Sequence, residues 1–197
     1  NADVMYVETQ RGNIAVTSDG GNDWDNATNG LSGSRHWDMQ YIISSHDPDV
    51  LYTGTDRFYK SDVGVIPDWK PISDVLVDPS SPAIIHQFTC LSESPLDARV
   101  LYCGTSDAMV WQTRDGGNIW TRITNGLPTR YISSIKASPA KPATVYVTIT
   151  GYKDNDSNGF KDDISGWNAK TNTGIHDVKS HGTNILGVIG AKGNNQK

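Results

Sequence analysis

The sequence predicts a mainly β fold of consecutive four-stranded β-propeller blades, about three in number and short of a closed ring. A short C-terminal loop and helix segment follows them. An internal repeat, a recurring tyrosine-bearing strand and a turn-rich composition predict this class.

The repeat is the most specific of the three. Thr17-Ser18-Asp19-Gly20-Gly21-Asn22-Asp23-Trp24 recurs as Thr113-Arg114-Asp115-Gly116-Gly117-Asn118-Ile119-Trp120, an offset of 96 residues. Asn29-Gly30-Leu31 returns at the same offset as Asn125-Gly126-Leu127. Lys60-Ser61-Asp62-Val63-Gly64, then Trp69, is a degenerate copy between them. The offset therefore covers two units of about 48 residues each, the size of a four-stranded blade.

The second marker has the same spacing. Val4-Met5-Tyr6, Val50-Leu51-Tyr52, Val100-Leu101-Tyr102 and Thr144-Val145-Tyr146 each read as a short strand, with tyrosines 46, 50 and 44 residues apart. Gly54-Thr55 and Gly104-Thr105 extend two of these strands. Pro-containing turns precede three of them, at Pro48, Pro95 and Pro139 with Pro142. Strand, turn and strand at this interval is the blade pattern. Mostly antiparallel strands are expected through about residue 150, with hairpins at 18–23 and 114–119.

Composition agrees. The chain has 19 Gly and 9 Pro in 197 residues, and of 22 acidic residues only Glu8 and Glu93 are glutamates. Asp favours turns where Glu favours helix interiors. A net charge of −5 argues against a nucleic-acid partner. Apolar runs long enough to span a membrane are absent from the sequence. The opening Asp3-Val4-Met5-Tyr6 is strand-like and carries no signal peptide, so the chain reads as a fragment or processed form of something longer.

Cys90 and Cys103 flank the turn Ser94-Pro95-Leu96-Asp97. A hairpin centred there could place them opposite each other as a cross-strand disulfide. The other reading, and the favoured one, is two small buried residues, because a disulfide needs a non-hydrogen-bonded pair and the turn leaves the register open.

The motif [Ser/Thr]-x-Asp-x-Gly-x-x-Trp resembles the Asp-box, or BNR repeat, of sialidases, sortilin-like receptors and xyloglucanase-type glycosidases, over roughly residues 1–153. Its set here is Thr17, Asp19, Gly21 and Trp24, then Thr113, Asp115, Gly117 and Trp120. Asp19 and Asp115 are expected to accept backbone N–H bonds within their own turns. Gly21 and Gly117 supply a backbone shape closed to other residues, and the two tryptophans cover the turn and pack between strands. The resemblance places the motif at the blade periphery and implies a structural role. It identifies a fold and not a reaction. A sialidase would need an arginine cluster for a carboxylate. Arg11, Arg35, Arg57 and Arg130 are candidates, though none sits in a matching motif. A glycoside hydrolase is a weaker reading still, because no carboxylate pair stands out among so many aspartates.

Residues 154–197 form a second region. Asp154, Asp156 and Asn158 occupy positions 1, 3 and 5 of a calcium-type loop, with Gly159 at 6. Position 12 is Ser165, so Asp162 or Asp163 would substitute for the bidentate Glu. Calcium is the candidate cofactor, and a solvated acidic turn is the alternative. Gly166-Trp167-Asn168 and His181-Gly182-Thr183 follow, then small residues at Gly187, Gly190 and Ala191. Together these resemble the catalytic-histidine region of bacterial subtilisin-like serine proteases, with Asn184 and Leu186 departing from the usual histidine and alanine. The resemblance implies that His181 is the general base. Its Asp and Ser partners are missing, and a lone histidine has no hydroxyl to activate.

The functional expectation is a secreted or cell-surface module acting in binding or assembly, not catalytic as given. Its partners would be a protein or glycan ligand, or additional blades from the same or another chain. The alternative is a fragment of a secreted calcium-dependent subtilisin-like protease carrying propeller repeats.

Overall fold

The computed structural model describes residues 3–81, 83 and 85–150, with two short strands beyond them. The chain divides into two units, Asn1–Thr150 and Gly151–Lys197. All regular structure among the described residues is antiparallel β, and no helix is long and apolar enough to cross a membrane. In the second unit, β14 (Trp167–Asn168) pairs with β15 (Thr173–Gly174). The acidic loop and His181 lie outside the described residues.

The first unit is a series of meanders. Sheet one holds β1 (Met5–Glu8), β2 (Ile14–Thr17) and β3 (Asp25–Asn26). Sheet two holds β4 (Tyr41–Ile43), β5 (Leu51–Gly54), β6 (Phe58–Ser61) and β7 (Lys70–Pro71). In sheet three are β8 (Phe88–Ser94), β9 (Asp97–Thr105), β10 (Val110–Thr113) and β11 (Trp120–Arg122). β12 (Ile132–Ala137) and β13 (Val145–Ile149) form sheet four. The four repeat tyrosines fall on β1, β5, β9 and β13, equivalent strands of successive sheets. The expected hairpins are the β2–β3 and β10–β11 turns.

Alternation along these strands sends neighbouring side chains to opposite faces. Leu51 faces sheet one, in a cluster with Ile14, Val16, Tyr59 and Trp69. Tyr52, next in the chain, faces sheet three, with Phe58, Phe88, Leu101 and Cys103. Leu101 and Tyr102 repeat the division, Tyr102 joining Cys90, Val110, Ile132 and Ile135 between sheets three and four. Each Leu-Tyr pair thus feeds the two interfaces on either side of its sheet.

Two glycines let adjacent sheets close. A Cβ at Gly54 would overlap the Phe88 ring, and one at Gly104 would lie 2.5 Å from Ile132 Cγ2. Phe88 and Ile132 begin the first strand of the following sheet, so the recurrent Gly-Thr marks where the next strand crosses.

The hairpin at Pro95 and Leu96 is present, and it pairs Leu91 with Cys103 and Cys90 with Gly104. This register is one residue away from the one that would oppose the cysteines. The two thiols therefore point into different clusters and remain free, which excludes the disulfide alternative and leaves two buried small residues. Burial pushes the Cys90 thiol up to about 11 and the Cys103 thiol well above its ordinary value. Thiolate is the reactive form. Iodoacetamide at mildly alkaline pH is therefore expected to spare both cysteines in the native protein and modify both after unfolding. Mass spectrometry checks this, and native labelling at Cys103 would contradict it.

Candidate functional site

Strand direction divides the connections between two ends of the sheets. The repeat turns (18–24, 62–69 and 114–119) share one end with the Pro-containing turns (44–50, 95–96 and 138–144). The remaining connections gather at the other end.

At the first end the two repeat turns are built alike. The Thr17 hydroxyl donates to Asp19 Oδ1 at 2.7 Å and accepts the Gly21 N–H at 3.0 Å. Asp19 Oδ1 also accepts the N–H groups of Asn22 and Asp23 at 2.9 and 3.1 Å. In the second copy Thr113 donates to Asp115 Oδ1 at 2.8 Å and accepts the Gly117 N–H at 3.0 Å, and Asp115 Oδ1 takes the Ile119 N–H at 2.9 Å. Asn22 and Asn118 each donate a side-chain bond to the carbonyl of their aspartate, at 2.8 and 2.7 Å. Sequence reasoning did not single them out, although they recur at the same offset. Gly21 and Gly117 have φ of +98° and +104°, a region that glycine enters freely.

These bonds hold both carboxyls below the usual carboxylate range. For Asp19 the Thr17 hydroxyl acts first and the Asp23 N–H next, and for Asp115 the Ile119 N–H precedes Thr113. A lowered folded-state pKa contributes stability present above the unfolded value and lost as pH falls through the folded one. The melting temperature is therefore expected to fall once pH drops below about 4. Asp115→Ala should lower it at neutral pH and flatten that acid limb. An unchanged neutral melting temperature would contradict the turn's contribution.

The tryptophans differ. Trp120 Nε1 donates to the Ile72 carbonyl of the preceding sheet at 2.9 Å, and buried Trp69 donates to Ala27 of its own preceding sheet at 2.8 Å. Trp24 bonds back to Gly21 in its own turn at 3.2 Å and is 43 % exposed.

At the opposite end, loops of successive sheets are laced together. The Arg11 N–H donates to Trp37 at 2.9 Å, Phe88 N–H to Thr55 at 2.6 Å, and Ser106 N–H to Gln87 at 3.0 Å. His36 Nε2 meets the Tyr131 hydroxyl at 2.9 Å, joining the β3–β4 loop to the β11–β12 loop. Burial raises the Tyr131 hydroxyl pKa, with Cys90 and Asp38 adding to it. No local signal pairs residues so far apart in sequence.

All four candidate arginines fall at this end. Arg35 donates to the Gly12 and Leu31 carbonyls at 3.3 and 3.4 Å. Arg57 pairs with Asp56 at 3.3 Å, and Arg11 lies 5.7 Å from the centre of the Trp37 ring. Arg130 sits in the β11–β12 loop. Three of the four thus brace their own loops or lie over an aromatic ring. Asp107 accepts the Asp78 N–H at 2.6 Å through Oδ2, while its buried Oδ1 has no hydrogen-bond partner in the protein. The end is a mixed polar surface with an exposed aromatic, Trp37. Asp154, Asp156, Asn158, Asp162, Asp163 and His181 lie outside the described residues.

No family model and no curated protein matches the chain. Solved structures do. The GH74 xyloglucanase from Xanthomonas campestris is 17% identical with a TM-score of 0.56, over 77% of this chain and 25% of that one. The GH74 enzyme from Niastella koreensis is 18% identical with a TM-score of 0.51, over 74% and 25%. YCF48 from Cyanidioschyzon merolae is 13% identical with a TM-score of 0.44, over 68% and 44%. The chain spans less than half the length of each of these three. Sheets one to four of this chain are consecutive blades of a β-propeller, with an incomplete ring among the described residues.

Proposed function

We propose that the chain is a secreted or cell-surface Asp-box propeller module that acts in binding or assembly and not in catalysis. The observation that carries this reading is the lacing of loops from successive blades into one polar end, where Arg11, Arg35, His36 and Trp37 present a protein- or glycan-binding surface. The acidic groups of the first unit support it. Asp19 and Asp115 are occupied by their turns, Asp56 by Arg57, and Glu93 by Ser44 and Ser45. Calcium held by Asp154, Asp156, Asn158 and Asp162 or Asp163 belongs to the same proposal, with affinity roughly 10⁻⁴–10⁻³ M because the bidentate Glu is missing.

The test titrates the full chain with xyloglucan oligosaccharides and a sialylated glycan, following binding heat and release of reducing sugar together. Binding without release, weakened in an Arg11→Ala, Trp37→Ala variant, is the expected result. Steady sugar release would overturn the non-catalytic reading. Calorimetry with calcium alone tests the metal, and no heat at millimolar ion would remove it. Labelling by a serine-directed fluorophosphonate probe that is lost in His181→Ala would favour the protease alternative instead.

A further inference from the structure

Blades one, two and three leave their outermost strand in the same way. The N–H groups of Ala27, Ile72 and Ile123 donate to the carbonyls of Ile14, Phe58 and Val110, at 2.9, 2.9 and 2.8 Å. A hydroxyl-bearing residue comes next in each, Thr28, Ser73 and Thr124, and Thr28 and Thr124 stand at the repeat offset of 96. The Ser73 hydroxyl accepts the Phe58 N–H at 2.8 Å, and the Thr124 hydroxyl accepts the Val110 N–H at 3.0 Å. In these two blades the hydroxyl therefore serves the backbone of its own sheet.

In blade one the hydroxyl is diverted. Thr28 donates both its side-chain O–H and its backbone N–H to Asn26 Oδ1, at 2.7 and 2.9 Å. Such a turn, closed by an Asn side chain on the residue two ahead, is local and needs no other element. Blades two and three have Pro71 and Arg122 in place of Asn26, and neither side chain offers an acceptor. Both bonds go to Oδ1, so Asn26 Nδ2 takes no part in the turn.

Asn26 is exposed on β3, an edge strand of its sheet. Pro71 on β7 and Arg122 on β11 are exposed as well, although each has the preceding blade packed beside it. Exposure at this position is thus a property of a blade's outer edge. Asn26-Ala27-Thr28 also has the asparagine, the non-proline middle residue and the threonine of an N-glycosylation acceptor. A sugar on Nδ2 replaces one of its two hydrogens and leaves both bonds to Oδ1 intact, so the folded turn accommodates the product.

We propose that Asn26 is the acceptor of an N-linked oligosaccharide, with Thr28 as the hydroxyl that its recognition requires. In the transfer, Asn26 Nδ2 bonds to the anomeric carbon of an oligosaccharide carried on a lipid diphosphate. The bond from that carbon to the phosphate oxygen breaks, the lipid diphosphate leaves with the electron pair, and Nδ2 releases one proton. The inference rests on the secreted or cell-surface reading above, since this modification belongs to surface loops of secreted proteins.

The test produces the full chain behind a secretory leader in a eukaryotic host, followed by tryptic digestion and mass spectrometry. A glycan is expected on the peptide spanning residues 12–35, and its enzymatic release in heavy-oxygen water should leave a labelled aspartate at position 26. Asn155-Asp156-Ser157, the other such tripeptide in the chain, lies outside the described residues and falls on a separate tryptic peptide. Thr28→Ala should abolish the glycan on residues 12–35, and Thr28→Ser, which restores a hydroxyl, should return it. A bare Asn26 in the secreted wild type would overturn the inference, as would a glycan on this peptide that survives Thr28→Ala. The glycosylated chain should share its near-ultraviolet circular dichroism spectrum with unglycosylated chain made in bacterial cytoplasm; a different spectrum would mean that the folded turn does not accept the sugar. Because the leader exports the chain whatever its own destination, a bare Asn26 counts against this site alone. The secreted or cell-surface reading is tested separately, by export of the chain from its own cells.

Discussion

Phe58→Ala is expected to cost about 3–5 kcal/mol of unfolding free energy, the usual range for removing a large ring from a packed core. Phe58 is fully buried at the junction of blades two and three. Its ring centre lies 5.9 Å from Tyr52, 5.9 Å from Phe88 and 5.0 Å from Trp120, so one side chain touches aromatics of both blades. Alanine would leave a cavity walled by strands whose hydrogen bonds keep them from collapsing inward. Chemical denaturation followed by tryptophan fluorescence measures the loss, with Phe58→Leu as a control that retains most of the volume. A change below about 1 kcal/mol would mean that the junction is not a packed core.

The second large effect comes from the smallest side chain. Gly54→Val is expected to destabilise by about 3 kcal/mol, at the upper end of typical overpacking costs. The added Cβ has no room, because the ring of Phe88 already lies over the Gly54 backbone. Phe88 belongs to the next blade, so the substitution would force two sheets apart instead of distorting one strand. A double-mutant cycle identifies the cause. Phe88→Ala should recover part of the loss caused by Gly54→Val, and strictly additive costs would show that the clash lies elsewhere.

Much of the blade architecture could be read from sequence because its determinants are local and repeated. The turn at Asp19 closes through Thr17, Gly21, Asn22 and Asp23, all within a few residues, and the same chemistry recurs at Asp115. The tyrosine strands were legible for the same reason. What escaped was anything that depends on how one blade meets another. Gly54 and Gly104 were visible only as markers, since their partners lie on the following blade. The cysteine register escaped too, because an irregularity between Glu93 and Ser94, on the turn side of both cysteines, shifts the β8–β9 pairing.

Glu93 shows the limit most clearly. It is one of two glutamates, and in sequence it is only a polar residue inside a strand. In the fold it is buried and accepts the Ser44 hydroxyl at 2.7 Å, the Ser45 N–H at 2.7 Å and the Ser45 hydroxyl at 3.0 Å, tying blade three to the end of β4. Nearby, burial raises the Tyr52 hydroxyl pKa and Glu93 adds to the effect. At the loop end the same rule holds. Arg11, Arg35, Arg57 and Arg130 were found as residue types, but the Trp37 ring beside Arg11 and the Gly12 carbonyl that Arg35 reaches belong to other loops.

The division of each Leu-Tyr pair between two interfaces has a thermodynamic consequence. The apolar clusters lie in series between neighbouring blades, with no common centre. Free energy in such an array is close to a sum of nearest-neighbour couplings, as in a one-dimensional lattice. Opening blade one gives up its single coupling to blade two, whereas opening blade two or three gives up two. Amide exchange should therefore be tiered along the chain, slowest for β5 and β9 and faster for β1 and β13. Strand length alone would not predict that order, since β13 is longer than β5.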